Sequence, residues 1–218
     1  EDPRFPFSQA IRMWYGKGFA DYRGLNIGLR ARIKDKFTAQ AFYTISKADG
    51  NVLAGADEFR ISDRQYQPGF PRDESVNPLD PGCSACVGPL NTDARHKVTL
   101  AATYMAPFDI NVSGLFRYRS ATPYTLFSGS DGVQAFLQPG VGNVNSARGH
   151  SFSQFDLRAS KNIPIHGFGA IEAIFEIFNV LNEKNPAGYT AAGTPTLYAG
   201  DPFQGEQRLA QIGLRATF

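Results

Sequence analysis

The chain has 218 residues, 42% of them apolar and 19% charged, with a formal charge of +2. That small charge comes with no block of Lys and Arg, which sets nucleic-acid binding aside. The mean hydropathy is negative and no run of about 18 apolar residues exists, so a membrane-spanning helix is excluded.

Reading for period two predicts eight strands, at residues 9–15, 22–33, 37–46, 95–106, 110–120, 152–163, 169–181 and 207–218. In the second, Leu25, Ile27, Leu29, Ala31 and Ile33 share one face, and Asn26, Gly28, Arg30 and Arg32 the other. In the fifth, Ile110, Val112, Gly114, Phe116 and Tyr118 oppose Asn111, Ser113, Arg117 and Arg119. The seventh contains the longest apolar-rich stretch, IEAIFEIFNVL, whose Ile171, Ala173, Phe175 and Ile177 oppose Glu172 and Glu176. The last, QRLAQIGLRATF, sets Ala210, Ile212, Leu214, Ala216 and the terminal Phe218 against Gln211, Gly213, Arg215 and Thr217.

The connections alternate in length. Tight turns are expected at 34–36, 107–109 and 164–168, and long polar loops rich in Gly and Pro at 47–94, 121–151 and 182–206. Alternating faces, strands of about 10 residues and turns of two kinds are the signature of an outer-membrane barrel, with short periplasmic turns and long extracellular loops. The expected fold class is therefore all-β, antiparallel up-and-down transmembrane β-barrel strands. Only every second residue of such a strand meets lipid, which dilutes the hydropathy. With Phe218 at the periplasmic side, the last strand runs inward and the loop before it lies outside. A soluble β-sandwich is the plain alternative, but its strands usually run to about 5–6 residues, half the length of several here.

Aromatic residues are sorted by strand end: Tyr22, Tyr43, Tyr118 and Phe152 toward the long loops, Phe37, Tyr104, Phe168 and Phe218 toward the short turns. Two belts at the two interfaces are expected of a membrane barrel. The N-terminal EDPRFP has no basic region followed by an apolar core, as a secretory signal would. Since a surface barrel must be exported, the chain is expected to be a fragment.

The inward face carries Arg30, Arg32, Arg117, Arg119, Asp156, Arg158, Glu172, Glu176 and Arg215. Arg117, Arg119, Asp156 and Arg158 are the candidate ligand-binding residues. The structural reading of the two arginines is favoured over a ligand role: they pair with Asp156, Glu172 or Glu176 on neighbouring strands, because semi-buried charges need partners. Glu172 and Glu176, four residues apart on one strand, lie about 13 Å apart, too far for a glycosidase pair. His96 and His150 fall where long loops meet strands. Neither is expected to be catalytic or to bind a metal, and no cofactor is implied. Cys83 and Cys86, spaced C-x-x-C without a second pair, are weak as a zinc site and read as a local disulfide in an oxidising compartment.

Seven segments carry a resemblance: YRGLNIGLRAR (22–32), AFYTISK (41–47), DARH (93–96), FRYRSATPY (116–124), FDLRASK (155–161), EIFNVLN (176–182) and LRATF (214–218). Together they resemble the C-terminal barrel of TonB-dependent outer-membrane receptors. The nearest branch is the Oar-like one, whose N-terminus carries a carboxypeptidase-regulatory-like domain. The resemblance implies a barrel of about 22 strands closed by a plug, of which this chain would supply about the last eight. It implies import of a scarce extracellular ligand driven by the TonB complex through an N-terminal region not seen in this sequence. It also implies an end of chain, Ile212, Leu214 and Phe218, read by the outer-membrane assembly machinery. An eight-stranded piece would leave two open edges that lipid cannot satisfy. A self-contained eight-stranded barrel, its interior filled by the inward charges, is the alternative within the membrane class.

Overall fold

A computed structural model describes residues 19–50, 88–124, 127–128, 136–137, 145, 147–167, 169–189, 194–197 and 207–218. Within them the chain forms seven long strands: β1 (Ala20–Ile33), β2 (Phe37–Gly50), β3 (His96–Ala106), β4 (Ile110–Arg119), β5 (Phe152–Ile165), β6 (Gly169–Phe178) and β7 (Leu209–Thr217). Each pairs antiparallel with its neighbours in sequence, in the order β1 to β7, and the two residues Gly88–Pro89 add a short eighth strand beside the end of β2. Seven of the eight predicted strands are thus in place. The one at 9–15, the aromatic Phe168, and Cys83 with Cys86 lie outside the described residues.

The pairing registers keep apolar residues opposite apolar ones. One row across all seven strands reads Ile33, Phe37, Tyr104, Val112, Ala159, Phe175 and Ile212; the row beside it, on the other face, reads Arg32, Thr38, Thr103, Ser113, Arg158, Glu176 and Gln211. A slip of one residue in any pair would exchange these faces, so the sidedness of the sequence holds the register.

Three of the boundaries that differ from expectation have a local cause. β2 continues through Lys47–Ala48–Asp49–Gly50, a polar run that reads as loop, because β1 begins at Ala20 and pairs with it to the end. β5 keeps Pro164 and Ile165 in the strand, opposite Ala170 and Gly169, so the third tight turn is shorter than predicted. β6 stops at Phe178 because Asn179 takes a left-handed conformation, φ 49°. The next amide, Val180, then bonds the Phe155 carbonyl at 2.7 Å.

No second sheet covers the apolar face among the described residues. Their buried apolar side chains are Ala48, Leu90, Ala94 and Phe178, all at the long-loop end, whereas Ile212 is 81% and Leu214 75% exposed. In water each such side chain would forgo about 1.5–3 kcal/mol of burial. Over the whole face the loss is comparable with the stability of a domain, about 5–15 kcal/mol. β1 and β7 do not pair with each other within the described residues, so the sheet is an open meander rather than a closed barrel.

The aromatic sorting holds by strand end but divides between the faces. Tyr43, Tyr118, Phe37 and Tyr104 stand on the apolar face, whereas Tyr22 and Phe152 have Ala48 and Arg119 as partners and stand on the charged one.

The turn into β6 depends on two glycines. Gly167 has φ 82° and open space around it, while Gly169 has φ 109° and lies under β7, where a Cβ would meet the Thr217 carbonyl oxygen at 2.0 Å. Gly167→Ala should therefore cost about 1 kcal/mol for its backbone alone, and Gly169→Ala clearly more, since β7 must also lift. Thermal unfolding of the two variants followed by circular dichroism checks this; equal losses would mean that the C-terminal strand does not pass over Gly169.

Candidate functional site

The charged face is the chemically rich side of the sheet, and most of its charges are paired, in two groups. At its long-loop end Asp156 of β5 is buried and accepts three hydrogen bonds: from Arg117 (3.2 Å), from Gln154 Nε2 (2.7 Å) and from the backbone amide of Asn179 (2.9 Å). Arg117 faces Gln154 in register, so it reaches Asp156 diagonally, a distance that suits a long side chain.

Further along, Arg158 bridges two carboxylates of β6, Glu176 at 3.1 Å and Glu172 at 3.5 Å. Glu172 also pairs with Arg215 of β7 at 2.8 Å, and Glu176 accepts from Gln211 at 2.5 Å. Arg158 faces Glu176, and Arg215 faces Glu172, as direct cross-strand partners. This second group thus follows from alternation and register alone.

Three of the four predicted ligand-binding residues, Arg117, Asp156 and Arg158, are therefore engaged with protein partners. Arg119 forms no ion pair among the described residues; its guanidinium lies 5.7 Å from the centroid of the Phe152 ring. Arg117 approaches the same ring at 5.9 Å. Glu172 and Glu176 are tied together through Arg158, and no group of three His, Cys, Asp or Glu able to hold a metal occurs among the described residues. His96 is held at the strand end, its Nδ1 2.8 Å from the Tyr43 hydroxyl and its ring stacked on the Tyr43 ring.

A second polar cluster, at the base of the long loops, escaped the sequence reading. Asp93, just before β3, has a fully buried side chain. It accepts from the Ala48 amide of β2 (2.8 Å), from Arg95 Nε (2.8 Å) and from Arg148 (2.5 Å), and Arg148 also donates to the carbonyls of Asp93 and Ala121. One carboxylate thereby joins the end of β2, the start of β3 and the segment leading to β5. Asp93 had a faint signal, an acid two residues before Arg95 at a strand start. Arg148 had none, being 55 residues away. Asn185 forms a similar link, accepting from the Ser153 amide and donating to its carbonyl.

Burial works against ionisation of Asp93, but hydrogen bonds from Arg95, Arg148 and the Ala48 amide, with the charge of Arg95, outweigh it and hold the carboxyl below the usual carboxylate range. A lowered folded-state value means that the ionised form stabilises the fold. This contribution is complete above the unfolded value of about 3.9 and is lost as pH falls through the lowered one. Hydrogen exchange of the Ala48 amide, corrected for its intrinsic pH dependence, should stay slow from pH 7 to about 4 and quicken below. Asp93→Asn should leave Arg95 and Arg148 without their countercharge, raise exchange above about pH 4 by an amount equivalent to about 2–4 kcal/mol, and so abolish the acid step. An unchanged acid step in that variant would assign it to another group.

No known protein family, no characterised protein and no solved structure matches this chain.

Proposed function

We propose that this chain is the C-terminal barrel portion of a TonB-dependent outer-membrane receptor that imports a scarce extracellular ligand. One observation carries the reading. A seven-strand antiparallel meander presents a broad apolar face with no protein layer on it among the described residues, and a face of paired charges opposite. Lipid is the surrounding that makes the first face favourable, and a wide, wet lumen is the one that suits the second.

Strand length supports the same setting. The seven strands have 14, 14, 11, 10, 14, 10 and 9 residues, where about 9–11 tilted residues cross a bilayer. Tyr43 and Tyr118 at one end of the apolar face, with Phe37 and Tyr104 at the other, sit where interfacial aromatics belong. The charged Arg23, Lys47 and Asp49 share the apolar face only beyond this band, at the long-loop end. Lys161 is the charge within it, near the short-turn end, from which a long aliphatic side chain reaches the interface.

In this reading the edges of β1 and β7, unpaired within the described residues, belong against further strands of one larger barrel, because bare edges are costly in lipid. Ile212, Leu214 and Phe218, exposed along β7 and just beyond it, then serve the assembly machinery. Coupling to the TonB complex falls to parts of the receptor beyond these strands.

The size and location of the native polypeptide test the proposal. An antibody against residues 182–206 should detect, in outer-membrane fractions, a chain several times longer than this one. A chain of this length in the same fractions would indicate a self-contained small barrel, and a soluble chain would remove the membrane altogether.

A further inference from the structure

Arg30 on β1 and two cations on neighbouring strands have no carboxylate partner on the charged face among the described residues, and the latter two stand side by side. Lys97 of β3 and Arg119 of β4 are direct cross-strand partners, which places their Cβ atoms about 4.5–5.5 Å apart on one face. Like charges so placed repel and weaken a sheet. Among the described residues neither has a carboxylate partner, whereas Arg117, Arg158 and Arg215 each have at least one.

Their surroundings are organised rather than loose. Phe152 is the partner of Arg119 on the next strand, and the guanidinium groups of Arg119 and Arg117 lie 5.7 and 5.9 Å from its ring centroid. A ring in that position holds the guanidinium plane and leaves its donors free. The buried Nε of Arg117 has no acceptor within the described residues. Asp156, the partner of Arg117, already accepts from Gln154 and the Asn179 amide as well. Among the described residues, Lys97, Arg117 and Arg119 thus stand together at the long-loop end of this face with Asp156 as the carboxylate that pairs with one of them.

We propose that Lys97 and Arg119 bind an oxyanion group, carboxylate or phosphate, of the ligand that passes this face, with Phe152 fixing the Arg119 guanidinium. Lys97 supplies a compact point charge and Arg119 a fork of donors, a combination that suits an anion with several oxygens. The repulsion between the two cations turns into attraction once the anion lies between them. The proposal rests on the receptor reading in one respect only, that the charged face is where ligand travels.

The test uses the full-length protein extracted in mild detergent and limited acetylation of its lysines, read residue by residue by mass spectrometry. Inorganic phosphate is compared with chloride at equal ionic strength. Phosphate at about ten times its dissociation constant should slow acetylation of Lys97 about tenfold, leave Lys36 in the β1–β2 turn unchanged, and lose its effect in Arg119→Gln. Citrate in place of phosphate separates a carboxylate-bearing ligand from a phosphorylated one. Equal acetylation of Lys97 with and without either anion overturns the proposal, as does protection that survives Arg119→Gln. Should that variant fail to assemble, the wild-type comparison of Lys97 with Lys36 decides alone. Absence of the protein from outer-membrane fractions would instead overturn the receptor reading, and protection of Lys97 would still be measurable on the protein from whichever fraction holds it.

Discussion

The two-residue period of paired strands is the constraint from which the other features follow. Each strand sends alternate side chains to opposite faces, and the registers carry that alternation unbroken from β1 to β7. Ile212 and Leu214 are exposed among the described residues on one side and Glu172 and Arg158 are joined on the other, so the two faces of the sheet differ in chemistry along its whole width. A soluble fold would have to place a second layer against the apolar side, and none stands there among the described residues.

The charged side illustrates why paired charges are informative about stability in only one direction. Arg158 with Glu172 and Glu176 adds little over a well-packed apolar substitute, because bringing ions out of water offsets their attraction. Removing one member is another matter, since its partner would remain half-buried and unmatched. The same asymmetry gives Lys97 and Arg119 their interest. Arg117, Arg158 and Arg215 each have a carboxylate, whereas these two adjoining cations have none among the described residues.

How much was legible in the sequence depended on whether information was local. Strand faces were fully readable, because alternation is a property of neighbouring residues: Leu25 to Ile33 and Ala210 to Phe218 could be phased without any partner. Arg158 with Glu176 and Arg215 with Glu172 were within reach once strands were placed in order. The ends of strands were less readable. Lys47 to Gly50 looks like loop because polar residues at a rim share their composition with loops, and only the pairing with Ala20 shows otherwise. The Asn179 turn was hidden inside an apolar run. The Asp93 cluster was beyond reach, since Arg148 arrives from another loop and nothing in its flanking residues announces a buried acid 55 positions earlier.

Because every long strand pairs only with its neighbours in the chain, each long connection joins two strands that lie side by side in the sheet. The entropy of closing such a loop grows only with the logarithm of its length, about 0.6 kcal/mol for each doubling. A connection of that kind can therefore change length at small entropic cost to the sheet it closes. The clasp of Asp93, Arg95 and Arg148 sets the lower limit of that freedom: variation is cheap above it, and below it every inserted residue must displace a strand.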